Sequence, residues 1–195
     1  MENFTFDERL FLWLNFDGGP VLDWLMSAIS GAVMWVPLYL FIMWSVQRKY
    51  GWKSLAAFVV CMALAMGLAD MLCGIFKHTG LLKGLWPDFP VRHRPMFDVA
   101  IRDLAHVVSY AHGPFGTVSA HAATTAAMAL FSALLIRRRW YSYTIVGIVL
   151  LISYSRIYLA CHFPKDIALG FGVGLISAYA MYLLWRKLDI LLKNS

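Results

Sequence analysis

The sequence is poor in charge. Only 14% of its 195 residues are Asp, Glu, Lys or Arg, where a soluble domain averages about 25%. With a hydrophobic fraction of 61% and a mean hydropathy of +0.65, that shortfall excludes an ordinary soluble globule. Cysteine is scarce as well. Cys61, Cys73 and Cys161 show no CxxC or Cys/His metal spacing, and an odd number cannot all pair within the chain. The apolar runs do not alternate with polar residues, which argues against a membrane barrel. The net charge is +6, yet no contiguous basic stripe is present, so nucleic acid is a poor partner. The start, "MENFTFDERLFLWLNFDGGP", lacks the basic region of a cleaved signal peptide.

What remains is an all-α, helical integral membrane protein of one domain, residues 1–195. Phe6, Leu10, Phe11 and Leu14 recur at helical spacing. They predict an amphipathic helix within residues 1–20, lying in the interface and ended by Gly18, Gly19 and Pro20. About five membrane-spanning helices are then expected, at about 22–46, 54–76, 119–136, 140–160 and 166–186. The 8 Trp and 9 Tyr suit anchoring at the headgroup level. Arg48, Lys49 and Lys53, then Arg137, Arg138 and Arg139, then Arg186 and Lys187 all fall on one side. The positive-inside rule makes that side cytoplasmic.

The opposite side receives the 77–118 loop and the 155–166 corner, together with all six histidines. The loop is far longer than the 2–8 residues usual between bundle helices, which marks it as functional. Three clusters converge there. In "VRHRP", Arg92 and Arg94 precede a rigid Pro95 and form a forked donor pair suited to phosphate oxygens. In "GTVSAHAATTAA", Ser119 is a good N-cap, which leaves backbone N–H groups and a positive dipole end near Ala120 and His121. In "SRIYLACHFPKD", Asp166 lies four residues after His162 and can reach back to one imidazole nitrogen, while Arg156 ends the preceding helix. A salt bridge from Asp166 to Lys165 or Arg156 is the structural alternative. Two histidines, several cations, a helix N-terminus and a carboxylate on one membrane face describe a phosphoryl-transfer site. Gly170, Gly172 and Gly174, facing the small residues Ala122, Ala123, Ala126 and Ala127, serve close helix packing or shape a lipid groove.

These clusters resemble the signature of the type 2 phosphatidic acid phosphatase (PAP2) superfamily of membrane lipid phosphatases. Ser155, Arg156, His162 and Asp166 match every fixed position of its third motif, Ser-Arg, five residues, His, three residues, Asp. The second motif departs: "VSAH" has Val118 and Ala120 where the family has proline and glycine. The first departs further, since the family spacing places its lysine at Pro87. Lys77 is the preferred substitute, with Asp70 seven residues earlier as its support, and Lys83 is the alternative.

The resemblance implies a PAP2-type bundle over roughly residues 22–185 and a role for each matched position. His162 would be the nucleophile, Asp166 its orienter, and His121 the acid and base for the leaving group and water. Lys77, Arg94, Arg156, Ser119 and the backbone at Ala120 would hold the phosphate, with Arg92 in support. It also implies a metal-independent reaction with no cofactor, on a membrane lipid phosphate or diphosphate. Undecaprenyl diphosphate, phosphatidylglycerophosphate and lipid A phosphate are the candidates. It places the protein in a bacterial inner membrane, with the site facing outward. A phosphotransferase of the same histidine chemistry is the sibling reading. A non-catalytic lipid-binding or haem-binding membrane protein is the remaining alternative. Oligomeric state has no signal in the sequence.

Overall fold

The computed structural model describes residues 4–77, 84, 86–88, 91–109 and 113–194. Lys83, His78 and His112 therefore lie outside the described residues. Seven α-helices run through the rest: α1 Phe6–Leu14, α2 Gly19–Ser30, α3 Val36–Tyr50, α4 Trp52–Ile75, α5 Ala120–Ile136, α6 Arg139–Tyr158 and α7 Pro164–Asn194.

Helix α1 is capped as its sequence demands. Thr5 accepts from the Glu8 N–H while Glu8 reaches back to the Thr5 N–H, a reciprocal capping box. The helix does not run on to Gly18, Gly19 and Pro20. It stops at Asn15, whose side chain has a tertiary task. The Asn15 amide donates to the carbonyls of Ile157 and Tyr158 at the end of α6 and of His106 in the long loop, at 3.2, 2.7 and 3.1 Å. Gly18, Gly19 and Pro20 instead open α2, where proline in the first turn loses no hydrogen bond.

The expected first span, 22–46, is broken. Helix α2 and the Val33–Tyr50 segment meet at 67°. Gly31 turns extended at the end of α2, and Pro37 suits a new helix start. Trp35 Nε1 donates to the orphaned Ile29 carbonyl at 2.8 Å and stabilises the break. Of the five expected spans, Trp52–Ile75 and Pro164–Lys193 are by themselves long and apolar enough to cross a membrane, and the bent pair adds a third if it is one span. Helix α7 outruns its expected end at 186. Its extra turns carry Asp189, which accepts from Ser54 at 2.5 Å and pairs with Lys193 at 2.7 Å.

Helix α5 has 17 residues, about 26 Å of rise. It sits at the centre of the bundle, with Ala122, Ala123, Ala126, Ala127 and Phe131 buried. Alanine gives it high helix propensity and a low profile. Helix α7 exploits that profile. A Cβ at Gly174 would fall 2.1 Å from the Ala123 carbonyl oxygen, and one at Gly170 would fall 2.5 Å from that of Ser119. Gly172 meets nothing within 4 Å. Two of the three glycines therefore serve packing.

The long loop returns to the bundle in order. A short bridge pairs His93 with Phe115, and a 3-10 turn, Pro95–Phe97, follows.

Gly174→Ala should overpack the α5–α7 crossing and cost about 1–3 kcal/mol, while Gly172→Ala should be neutral. Thermal unfolding in detergent will read the difference as a drop of several degrees in Tm for the first variant alone.

Candidate active site

The nucleophile candidate sits in a corner too tight to be mobile. Helix α6 ends at Tyr158, Ala160 takes a left-handed φ of 52°, and the Arg156 carbonyl accepts from the Cys161 and His162 N–H groups at 2.9 and 3.3 Å. His162 follows, 1% exposed. Its Nδ1 lies 3.0 Å from the Gly116 carbonyl oxygen, so Nδ1 carries the proton and donates. Nε2 is left with its lone pair, 3.2 Å from an Arg94 guanidinium nitrogen that donates to it. The two contacts agree on one tautomer.

That geometry corrects one expectation. Asp166 does not bond the imidazole. Its nearest oxygen is 3.7 Å from Nδ1, beyond hydrogen-bond range. That oxygen accepts the Phe163 N–H at 2.9 Å instead, capping the start of α7. Asp166 places a buried carboxyl group beside the ring, and Gly116 does the orienting. Nor does Asp166 pair with Lys165 or Arg156. Its ion partner is Arg92, at 3.8 Å.

Arg92 and Arg94 also part company. Arg94 is buried and donates to the carbonyls of Gly113 and Cys161, at 3.0 and 3.2 Å, beside His162. Arg92 lies on the far side of the corner. Its guanidinium stacks on the Phe163 ring at 3.5 Å and pairs with Asp7 of α1. It braces the corner rather than binding in the cavity with Arg94.

A cavity of about 350 Å³ opens in front of Nε2. Lys77, Arg94, Arg156, His121 and Asp70 line it together with His162. Lys77, the preferred lysine for the loose first motif, lines this cavity. Asp70 shares its wall, but no ion pair within 4.0 Å joins the two. Arg156 donates to Ser30 of α2, while its buried Nε has no protein partner. A buried guanidinium N–H without an acceptor is a rare and costly group. Ser30, Gly31 and Trp35, at the break between α2 and α3, supply the facing wall.

Ser119 is not in that wall. It is fully buried, its hydroxyl caps the Ala122 N–H at 3.4 Å, and its own N–H donates to the Asp166 carbonyl at 3.0 Å. Its contribution is to aim the helix start. Ala120, in the first turn, reaches the cavity, where first-turn N–H groups have no acceptor within the helix.

Burial depresses the His162 pKa well below 6.5, and the positive charges of Arg94, Arg156 and Lys77 add to the effect. The ring is therefore neutral near pH 7 and available to attack. Lys77 is also lowered, by burial first and then by Arg94.

Gly116, Ser30 and Asn15 were not singled out from the sequence. Gly116 had one legible trace, its place in a small-residue lead-in to α5. A Cβ there would come 2.9 Å from Arg94 Cγ and 3.4 Å from His162 Nδ1. Ser30 and Asn15 had no sequence signal. Among the described residues, one group could hold a metal ion, Asp17, Asp23 and His106. It lies outside the cavity lining. His106 Nε2 bonds Asp23 at 2.9 Å, and Tyr158 donates to the same oxygen at 2.6 Å.

The family model described as the PAP2 superfamily matches residues 56–190. Two curated relatives, both named lipid A 4'-phosphatase, align over most of the chain. One, from Bacteroides thetaiotaomicron, is 34% identical over 96% of this chain and 80% of its own length. The other, from Porphyromonas gingivalis, is 31% identical over 90% of this chain and 71% of its own. Among solved structures, LpxE from Aquifex aeolicus has a TM-score of 0.65 at 20% identity, covering 93% of this chain and 97% of that one. The PAP2-type phosphatidylglycerolphosphate phosphatase of Bacillus subtilis has a TM-score of 0.63 at 20% identity, covering 93% of this chain and 85% of that one. At such identity the structures speak to the fold, and the fold agrees with the helix order given above.

The depressed His162 pKa has a consequence for stability. Below about pH 6.5 the unfolded chain takes a proton on this ring that the folded chain refuses, so stability falls with falling pH. The slope from this one group is at most about 1.4 kcal/mol per pH unit. Thermal melts from pH 7.5 down to about pH 5 should show a shallower decline for His162→Gln than for the parent.

Proposed function

The chain belongs to the PAP2 superfamily, and from that premise we propose that it hydrolyses the phosphate monoester of lipid A, or of a closely related glycolipid, through a phosphohistidine at His162. That the chain is a membrane phosphatase follows from the family and the relatives. The choice of lipid A rests on the two named relatives, which align with this chain nearly end to end. The chemistry rests on one observation: a neutral imidazole whose Nδ1–H is pinned to Gly116 and whose Nε2 faces a cavity lined by three cations.

Substrate phosphate would enter that cavity and draw Arg94 off Nε2. Its oxygens would accept from Arg94, Lys77, Ala120 N–H and the unpartnered Arg156 Nε. Nε2 attacks phosphorus, a nitrogen–phosphorus bond forms and the phosphorus–ester oxygen bond breaks. Once the bound phosphate dianion offsets those cations, His121 can hold a proton, which it gives to the departing sugar oxygen. The imidazole ring then carries a positive charge, which the Asp166 carboxylate offsets from 3.7 Å. In the second step His121 takes a proton from water as the oxygen attacks phosphorus. The nitrogen–phosphorus bond breaks and inorganic phosphate leaves. No step calls for a metal.

The break between α2 and α3 supports a lipid substrate, because it forms one side of the cavity at the level of a spanning helix. The basic clusters at Arg48, Arg137 and Arg186 lie at the other end of the bundle helices. By the positive-inside rule the cavity then faces away from the cytoplasm.

Phosphate release from a panel of lipid A, phosphatidylglycerophosphate and undecaprenyl diphosphate tests the substrate. Lipid A should be turned over fastest; preference for either of the others would replace this assignment. His162→Ala should lower turnover by roughly 10⁴-fold. His121→Ala should cost about 10²–10⁴-fold, with the Tm of each variant within a few degrees of the parent. Chelators should leave the rate unchanged.

A further inference from the structure

At the end of the bundle remote from the catalytic cavity, a second concavity of about 530 Å³ lies between the C-terminus of α3 and the α5–α6 turn. Arg48, Lys49, Arg137 and Arg138 line it, and no Asp or Glu does. Among the described residues none of these four cations has an ion-pair partner within 4.0 Å. Two of them have partial local tasks. Lys49 Nζ donates to the Leu135 carbonyl at 2.7 Å, and Arg137 Nε donates to that of Leu134 at 3.2 Å, at the end of α5. Arg48 and Arg138 are exposed. Basic residues at a helix end can serve topology alone. Four of them around one hollow, with no acid among them, form a receptor for an anion.

The walls say which kind. Trp44 and Trp140 flank the cations and are 58% and 57% exposed. Phe41 packs on both rings, with centroids 5.9 Å apart in each case, and fixes them. On α3, Val36, Leu40, Trp44 and Arg48 follow at intervals of four and share one face. All four are exposed. An apolar track therefore runs down the helix from the guanidinium at its end. That sequence of charge, indole and aliphatic side chain matches an acyl lipid with an anionic head.

We propose that this hollow is a second, non-catalytic site for an anionic phospholipid of the leaflet opposite the active site. The headgroup phosphate is held by Arg48, Arg138 and Arg137, and one acyl chain lies along Trp44, Leu40 and Val36.

The test uses the purified full-length chain in a zwitterionic detergent. Its Tm is followed while dihexanoyl phosphatidylglycerol, dihexanoyl phosphatidylcholine or inorganic phosphate is added. The anionic lipid should raise Tm by roughly 3 °C and saturate. The choline lipid and inorganic phosphate should not. Arg48→Gln/Arg138→Gln should abolish the rise; both side chains are exposed, so the fold is preserved. Arg94→Gln/Arg156→Gln, which alters the catalytic cavity, should keep it. An equal response to the choline lipid overturns the site, and an equal response to inorganic phosphate overturns its assignment to lipid. Loss of the rise in the Arg94/Arg156 variant would assign the binding to the catalytic cavity and overturn the proposal.

Discussion

The crossing of α5 on α7 is the constraint on which the site depends. Gly170 and Gly174 let the two backbones meet at distances that no side chain would permit. The contact sits in the first turns of both helices. It therefore brings the start of α5, with Ala120 and His121, beside the start of α7, with Asp166. The hydrogen bond from Ser119 N–H to the Asp166 carbonyl locks that register. Histidines 41 residues apart in sequence reach one cavity because two glycines are missing their Cβ atoms. Van der Waals packing of small residues suits a membrane setting, where lipid tails offer no hydrophobic drive for helices to associate.

The electrostatics of the cavity oppose its own stability. Three cations converge beside a neutral imidazole, and one buried guanidinium N–H has no acceptor. Folding tolerates this because several donors already have acceptors: Arg94 the carbonyls of Gly113 and Cys161, Arg156 the Ser30 hydroxyl through a terminal nitrogen. A phosphate dianion would relieve the remainder. Burial first, and then the same positive charge, keeps His162 unprotonated, so the cations that line the cavity also favour the neutral ring. Arg94 donates to Nε2.

Helix α1 also has a part in the site. Asp7 pairs with Arg92, accepts the Lys165 N–H at 2.9 Å, and so ties the interfacial helix to the first turn of α7. Asn15 does the same for the end of α6. A segment that reads as a membrane-surface helix also braces the corner that carries His162, while Phe6 and Trp13 stay exposed.

Much of this was legible in the residues. Apolar runs and caps placed α4, α5 and α6 to within a few residues, since burial in lipid and the 3.6-residue period act locally. The spacing of Ser155, Arg156, His162 and Asp166 marked the corner, and its resemblance to the third PAP2 motif carried the expected chemistry. Lys77 was reached by default and proved to line the cavity. The break at Gly31 was missed because its apolar composition is that of a continuous span; only the Trp35 bond to Ile29 and the Pro37 start show that two helices suit it better. The partner of His162 was misjudged for a similar reason. An i to i+4 pair invites a direct bond, but the left-handed turn at Ala160 and the cap on Phe163 aim Asp166 elsewhere. Sequence alone determined the all-helical membrane class and the residue types that gather at the corner, because hydropathy and local spacing decide both. Only the tertiary structure decided that Gly116 accepts the Nδ1 proton of His162, that Arg92 stacks on Phe163 while Arg94 lines the cavity, and that Ser119 is buried. Those choices depend on backbone approaches between segments distant in the chain, and spacing carries no record of them.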